Sequence, residues 1–296
     1  MKKYIITFLL GIAVFFFFKL TSNPQKILLN HLEKKYNKEF IIAFDGERSD
    51  GRSKWYEAEI YPKELEGTTR EYDKYYWAKG FVEQGKGGDT YGKVLLNESA
   101  NEFYLPKLKE LFGENVLPVL DLKGAYDSTD YEEEMKLRRK LFEKDSTGKY
   151  LPLSGGIYIF GRVESDKDRE WYRKQIYEFV QFMKQTGTFE YVALTFEIID
   201  ERILSSDFSN VKSEFEKKVN IAKRRELLSN VNPPSSQEKK EKMENLIRSE
   251  MSDFSGKLLL LYTQIYSEKY IKSNSLDREI KSYDNYKDVD FTIQWY

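Results

Sequence analysis

Hydrophobic positions change period several times along the chain, and each change marks an element. Tyr4–Phe18 is an apolar run broken only by small residues, with Lys2 and Lys3 before it and Lys19 after. From Asn23, apolar residues recur at helical spacing (Ile27, Leu28, Leu32, Tyr36). Asn23 is suited to cap that helix and Pro24 to occupy its first position. The period then falls to two. Glu39–Asp45 places Phe40, Ile42 and Phe44 on one face, Lys54–Tyr61 alternates, and Tyr75–Glu83 reads as a third strand. Turn residues at Asp45-Gly46, Asp50-Gly51, Gly67–Thr69 and Gly85–Asp89 connect them. A helix packed on one face of an antiparallel meander is the expected arrangement.

Helical spacing returns over Glu98–Phe112, with Pro106 inside it and Gly113 as a stop. Asn115–Leu122 is a short strand, and Thr129-x-x-Glu132 resembles a capping box opening a charged helix. Gly156–Val163, a helix capped by Ser165 and running to about Gln185, and Thr188–Ile199 form a β-α-β unit. Residues 207–250 read as a helical hairpin broken at Pro233-Pro234, and Lys257–Ser267 and Val289–Trp295 as two more strands. The fold class is therefore α+β. It comprises an N-terminal anchor helix, a helix-plus-meander module over 23–148, and a β-α-β-based module over 149–296 that carries the hairpin.

The apolar run bears on location. Tyr4–Leu20 as a helix spans about 25 Å, a little short of a ~30 Å hydrocarbon core. The stretch Leu20-Thr21-Ser22-Asn23 offers no Ala-x-Ala site, so residues 1–22 read as an uncleaved signal anchor, with a cleaved signal peptide as the alternative. Lysines before the run keep the N-terminus inside and place the remainder outside the cytoplasm. The layout is that of an exported bacterial protein. In that setting the membrane is one partner, through Tyr4–Leu20, and an envelope component or a protein is the other.

Composition narrows the chemistry. The 296 residues include no Cys and one His, which excludes disulfides, thiolate chemistry and multi-histidine metal sites. With 48 basic against 49 acidic residues the net charge is -1, and nucleic acid is not an expected partner. The 22 tyrosines and 20 phenylalanines supply enough area for a core without disulfides.

The single imidazole, His31, lies on the polar side of the first helix and reads as a surface residue. Glu197, Asp200 and Glu201 stand at the end of one strand, and Glu164 and Asp166 at the end of the one before it. Parallel neighbouring strands would gather these acids at one sheet edge, where α/β ligand sites lie. Two carboxyls about 5–10 Å apart are the minimum for glycoside cleavage. The other reading is capping and dipole compensation, with Arg162 and Arg202 as partners. Asp45–Gly51 departs from a calcium loop, and Gly85–Asp89 lacks the spacing of a phosphate cradle, so neither a metal nor a cofactor is expected. The basic positions Lys217, Lys218, Lys223, Arg224 and Arg225 read as a solvated helix face. Trp55, Tyr56, Tyr75 and Trp77 are the candidate binding residues, on aromatic strand faces that either recognise a partner or stabilise the meander. No family resemblance emerges, and a non-enzymatic envelope-associated module is the leading expectation, with a carboxylate-dependent hydrolase as its rival.

Overall fold

The computed structural model describes residues 23–68, 70–71, 73–124, 126–145, 151–200 and 259–295. The anchor segment Tyr4–Leu20, the hairpin 207–250, Glu201 and Arg202 lie outside them. Among the described residues no helix is long and apolar enough to cross a membrane. The fold is mixed α+β with two sheets, and the chain divides into two compact units, Met1–Val94 and Leu95–Tyr296. The sequence places its boundary instead at 148/149. Val116–Leu122, however, pairs along its length with Leu153–Gly161, so that boundary falls between two neighbouring strands of one sheet.

In the first unit, helix α1 (Pro24–Tyr36) begins as expected, with the Asn23 side chain accepting from Gln25 N. It lies on an antiparallel sheet of order β1-β2-β3-β4, made of Phe40–Ser49, Lys54–Pro62, Ala78–Glu83 and Lys86–Asp89. Leu28 and Leu32 are fully buried, along with Ala58, Ile60 and Val82 from the strands. Burial of each such leucine, isoleucine or valine side chain contributes about 1.5–3 kcal/mol. The approach is close because β3 offers Gly80, where a Cβ would stand 2.7 Å from Leu28 Cδ2.

Two features of this sheet depart from the alternating pattern. The β1–β2 register shifts between Ile42 and Phe44, so Ile42 pairs with Ile60 while Phe44 pairs with Glu59. The extra residue moves Phe44 to the face opposite Phe40 and Ile42. Asp45-Gly46, read as a turn, lies within β1 and pairs with Ala58 and Glu57, and the glycine-rich stretch read as a turn is strand β4, paired with β3 from Lys86 to Asp89. Its Gly88 lies beneath the Phe81 ring, where a Cβ would meet the ring at 2.3 Å.

The second unit is built on a sheet of order β5-β6-β7-β8-β9, the strands being Val116–Leu122, Leu153–Gly161, Val192–Asp200, Leu259–Tyr266 and Thr292–Trp295. Only β6 and β7 are parallel, joined through helix α4 (Asp166–Gln185), as the β-α-β pattern requires. Ser165 and Asp168 form the capping box of α4. Helix α2 (Tyr91–Phe112) starts about two turns before the position read from sequence, because the Asp89 carboxylate accepts from Tyr91 N. Helix α3 (Tyr131–Asp145) is capped by Asp130, which accepts from Glu133 N, rather than by Thr129. A short helix, α5 (Glu268–Ser273), follows β8. One core joins these elements: Tyr104 and Leu108 from α2, Ile176, Phe179 and Val180 from α4, and Ile157, Phe196 and Ile198 from the strands.

The β5 edge is closed by side chains. Alternate positions 118, 120 and 122 turn their backbone away from β6. Pro118 has no N–H to offer, Leu120 N donates to Asn101 Oδ1 at 3.1 Å, and Leu122 N donates to Asn97 Oδ1 at 2.9 Å. The two asparagines are one helical turn apart on α2, and Asn97 is buried. Opposite Leu120, Gly155 holds φ at +131°, and a Cβ there would lie 2.2 Å from Val119 O, so glycine is required.

Candidate functional site

Two groups of residues hold chemistry, one in each unit. On the outer face of the first sheet, away from α1, Tyr61 and Trp77 stack at 5.3 Å with their planes 16° apart. Glu71 fixes both rings: Trp77 Nε1 donates to its carbonyl at 2.7 Å and the Tyr61 hydroxyl to its carboxylate at 3.2 Å. Phe44, brought to this face by the bulge, lies 6.1 Å from Trp77 and is 54% exposed. Between the rings run ion pairs: Glu57 with Lys79 at 3.3 Å and Arg48 at 3.8 Å, and Glu59 with Lys74 at 3.9 Å.

The four aromatic candidates separate here. Trp55 and Trp77 are partly exposed, and Trp55 Nε1 points to Glu57 at 3.5 Å. Tyr56 is buried on the α1 side, one position out of phase with Trp55, so it belongs to the core. Burial and the neighbouring Asp45 carboxylate push its phenol well above the ordinary range. Tyr75 lies in a 3-10 turn (Lys74–Tyr76) before β3, edge-on to Tyr76 at 5.1 Å, rather than in the strand. Phe44 was not among the candidates; the five-residue apolar run Phe40–Phe44, which exceeds what alternation can bury, was the available signal.

The acidic candidates also separate. Ladder partners across the second sheet share a face, and the row through its middle reads Leu117, Tyr158, Glu197, Tyr262, Thr292. Glu197 is half-buried on the face opposite the core, and burial pushes its carboxyl above the ordinary value. Tyr158 beside it is pushed up to about 12, by burial first and by the Glu197 charge second. Glu164 lies beyond the last ladder pair, Gly161 with Asp200, mostly exposed and 3.9 Å from Arg162. Asp166 opens α4 and pairs with Arg169 at 3.2 Å, the dipole-compensating role. Asp200 closes the ladder; its side chain, like Glu201, is outside the described residues.

His31 is not a plain surface residue. Its Nε2 lies 2.8 Å from Asp89 Oδ2, and its ring packs on Gly87 of β4. The Asp89 side chain is fully buried and also accepts from Lys35 Nζ at 2.9 Å and the Tyr36 hydroxyl at 2.6 Å. Among the described residues, no group of three or more His, Asp or Glu side chains could hold a metal ion.

No family model matches the chain, and no curated protein matches it. Among solved structures, a DUF5037 family protein from Ruminococcus gnavus ATCC 29149 is similar at 13% identity and a TM-score of 0.41, over 82% of this chain and 91% of that one. At that level the likeness carries nothing about fold or activity.

Proposed function

We propose that the chain is a membrane-tethered, extracytoplasmic, non-enzymatic module that holds an envelope component or protein partner on the outer face of its first sheet. The observation that carries this is Phe44, a large ring more than half exposed beside a stacked Tyr61–Trp77 pair already fixed by Glu71. Rings held this way add contact area at little entropic cost. Phe81, also exposed, has a local explanation in covering Gly88, so the weight falls on Phe44 and Trp77. The lysine-flanked run Tyr4–Leu20 supports the tether.

The test is co-sedimentation of the full chain with isolated envelope polymer and with envelope-protein fractions. Phe44→Ala is expected to weaken retention by about tenfold or more. Unchanged retention by that variant, or a full-length chain shielded from protease added to whole cells, overturns the reading.

The rival reading, a carboxylate-dependent hydrolase, has one observation in its favour: Glu197 holds its proton more tightly than an ordinary carboxyl, as a general acid must. Its second carboxyl would come from Asp200 or Glu201, since Glu164 is turned to solvent beside Arg162. Release of soluble fragments from envelope polymer by the wild-type chain, abolished in Glu197→Gln, would establish it.

A further inference from the structure

Glu197 poses a charge problem that the described residues leave open. It sits in the middle strand of the second sheet, flanked across the ladder by Tyr158 on β6 and Tyr262 on β8. Along its own strand its neighbours on that face are Thr195 and Ile199, and at the adjacent register stand Gly156 and Gln264. None of these carries positive charge. The cations bordering β8 are engaged elsewhere: Lys281 pairs with Asp290, and the Arg278 guanidinium lies 4.8 Å from the centre of the Tyr266 ring. Among the described residues Glu197 has neither a hydrogen-bond nor an ion-pair partner. A half-buried carboxylate without a counter-charge is costly, and a chain kept for structure alone would place Gln, Thr or an apolar residue at such a strand position.

The surroundings select one kind of counter-charge. Cross-strand neighbours stand about 4.5–5.5 Å apart at Cβ, so two tyrosine rings flank the carboxylate within reach of one small group. Aromatic rings around a carboxylate attract an organic ammonium, through the ring faces and the negative charge together. A metal ion would need several oxygen ligands, which are absent at this site among the described residues. Space is at hand: Tyr262 also walls a cavity of about 240 Å³ shared with Gln264 and Tyr266, whose charged lining holds both signs, Arg278 and Lys281 with Glu279 and Asp290.

We infer that Glu197, Tyr158 and Tyr262 form a binding site for the ammonium group of a small organic cation. The carboxylate supplies the counter-charge, the two rings supply the walls, and the remainder of the ligand extends over Tyr262 toward the cavity. This site does not depend on the outer face of the first sheet, and loss of either leaves the other standing.

The test is calorimetric titration of the full chain at neutral pH with choline chloride and with its neutral isostere, in which carbon replaces the ammonium nitrogen. Wild type is expected to bind choline saturably and the isostere at least about tenfold more weakly. Glu197→Gln, close to isosteric, is expected to lose choline affinity by about tenfold or more while keeping its far-ultraviolet circular dichroism. Tyr262→Leu, which keeps apolar area but removes the ring, is expected to weaken choline by about threefold or more, and it decides the matter should Glu197→Gln fail to fold. Absence of saturable choline binding by wild type, equal affinity for the neutral isostere, or wild-type affinity in both variants overturns the site.

Discussion

Asp89 in the first unit and Glu197 in the second are both withdrawn from water, but only Asp89 is met by donors. Around Asp89, His31, Lys35 and Tyr36 from α1 and the Tyr91 N–H converge on one carboxylate whose side chain is 0% exposed. Burial pushes its carboxyl up, but the hydrogen bonds from Tyr36, Lys35 and His31 outweigh burial and hold it below the ordinary range. Around Glu197 burial acts alone, and the carboxyl rises. The same side-chain chemistry is thus a rivet in one unit and an open valence in the other. The difference separates a carboxylate that the fold uses from one that the fold tolerates.

Breaking the rivet has the largest expected effect. Asp89→Asn leaves Lys35 and His31 without their anion at a buried position and is expected to cost about 2–4 kcal/mol in urea unfolding. A loss below about 0.5 kcal/mol would show that α1 is held by Leu28 and Leu32 alone.

The pH dependence sharpens the contrast, because the signs differ. Asp89 has a lowered folded-state pKa, so its contribution is fully present above the unfolded value of 3.8 and is lost as pH falls through the folded value. Glu197 has a raised folded-state pKa. Its charge destabilises the fold at neutral pH, and that cost is relieved as pH falls through the raised value toward the unfolded 4.5. Glu197→Gln is therefore expected to stabilise the chain by about 1 kcal/mol or less at neutral pH, with the gain vanishing in acid. Unfolding midpoints across an acid series measure this, and a Glu197→Gln variant less stable than wild type at neutral pH would mean that a partner already neutralises the charge.

Glu57 gives the smallest expected effect. It sits among Arg48 and Lys79 on the exposed outer face, and Glu57→Gln is expected to change stability by no more than about 0.5 kcal/mol. A larger loss in low salt would make that face a coupled network rather than a set of screened pairs.

Local rules made parts of this molecule readable from its residues. Asn23-Pro24 and Ser165 start helices where their side chains can accept backbone N–H groups, and the period-two run in Val192–Asp200 has one face in the core. What escaped was set by neighbours distant in sequence. The apolar run ending at Phe44 signals a break in alternation, but the bulge that turns Phe44 outward is a mismatch between β1 and β2 that only their pairing locates. The glycines of β4 read as a turn until His31 and Phe81 are seen lying against them. The acidic cluster dispersed because Glu164 and Asp166 serve the start of α4, leaving Glu197 as the acid whose environment is unusual. Its flanking tyrosines come from strands far apart in sequence, at positions only the ladder register aligns.

The asparagine clamp on β5 also limits how copies of this chain can associate. One rim of the five-stranded sheet is sealed by Pro118, Asn97 and Asn101, while β9 is the last strand at the other rim among the described residues. A sheet that can be extended at both rims polymerises; one sealed on a single side terminates itself. Were two molecules to join strand to strand at β9, each would present only its sealed rim to a third, and growth would stop at the pair.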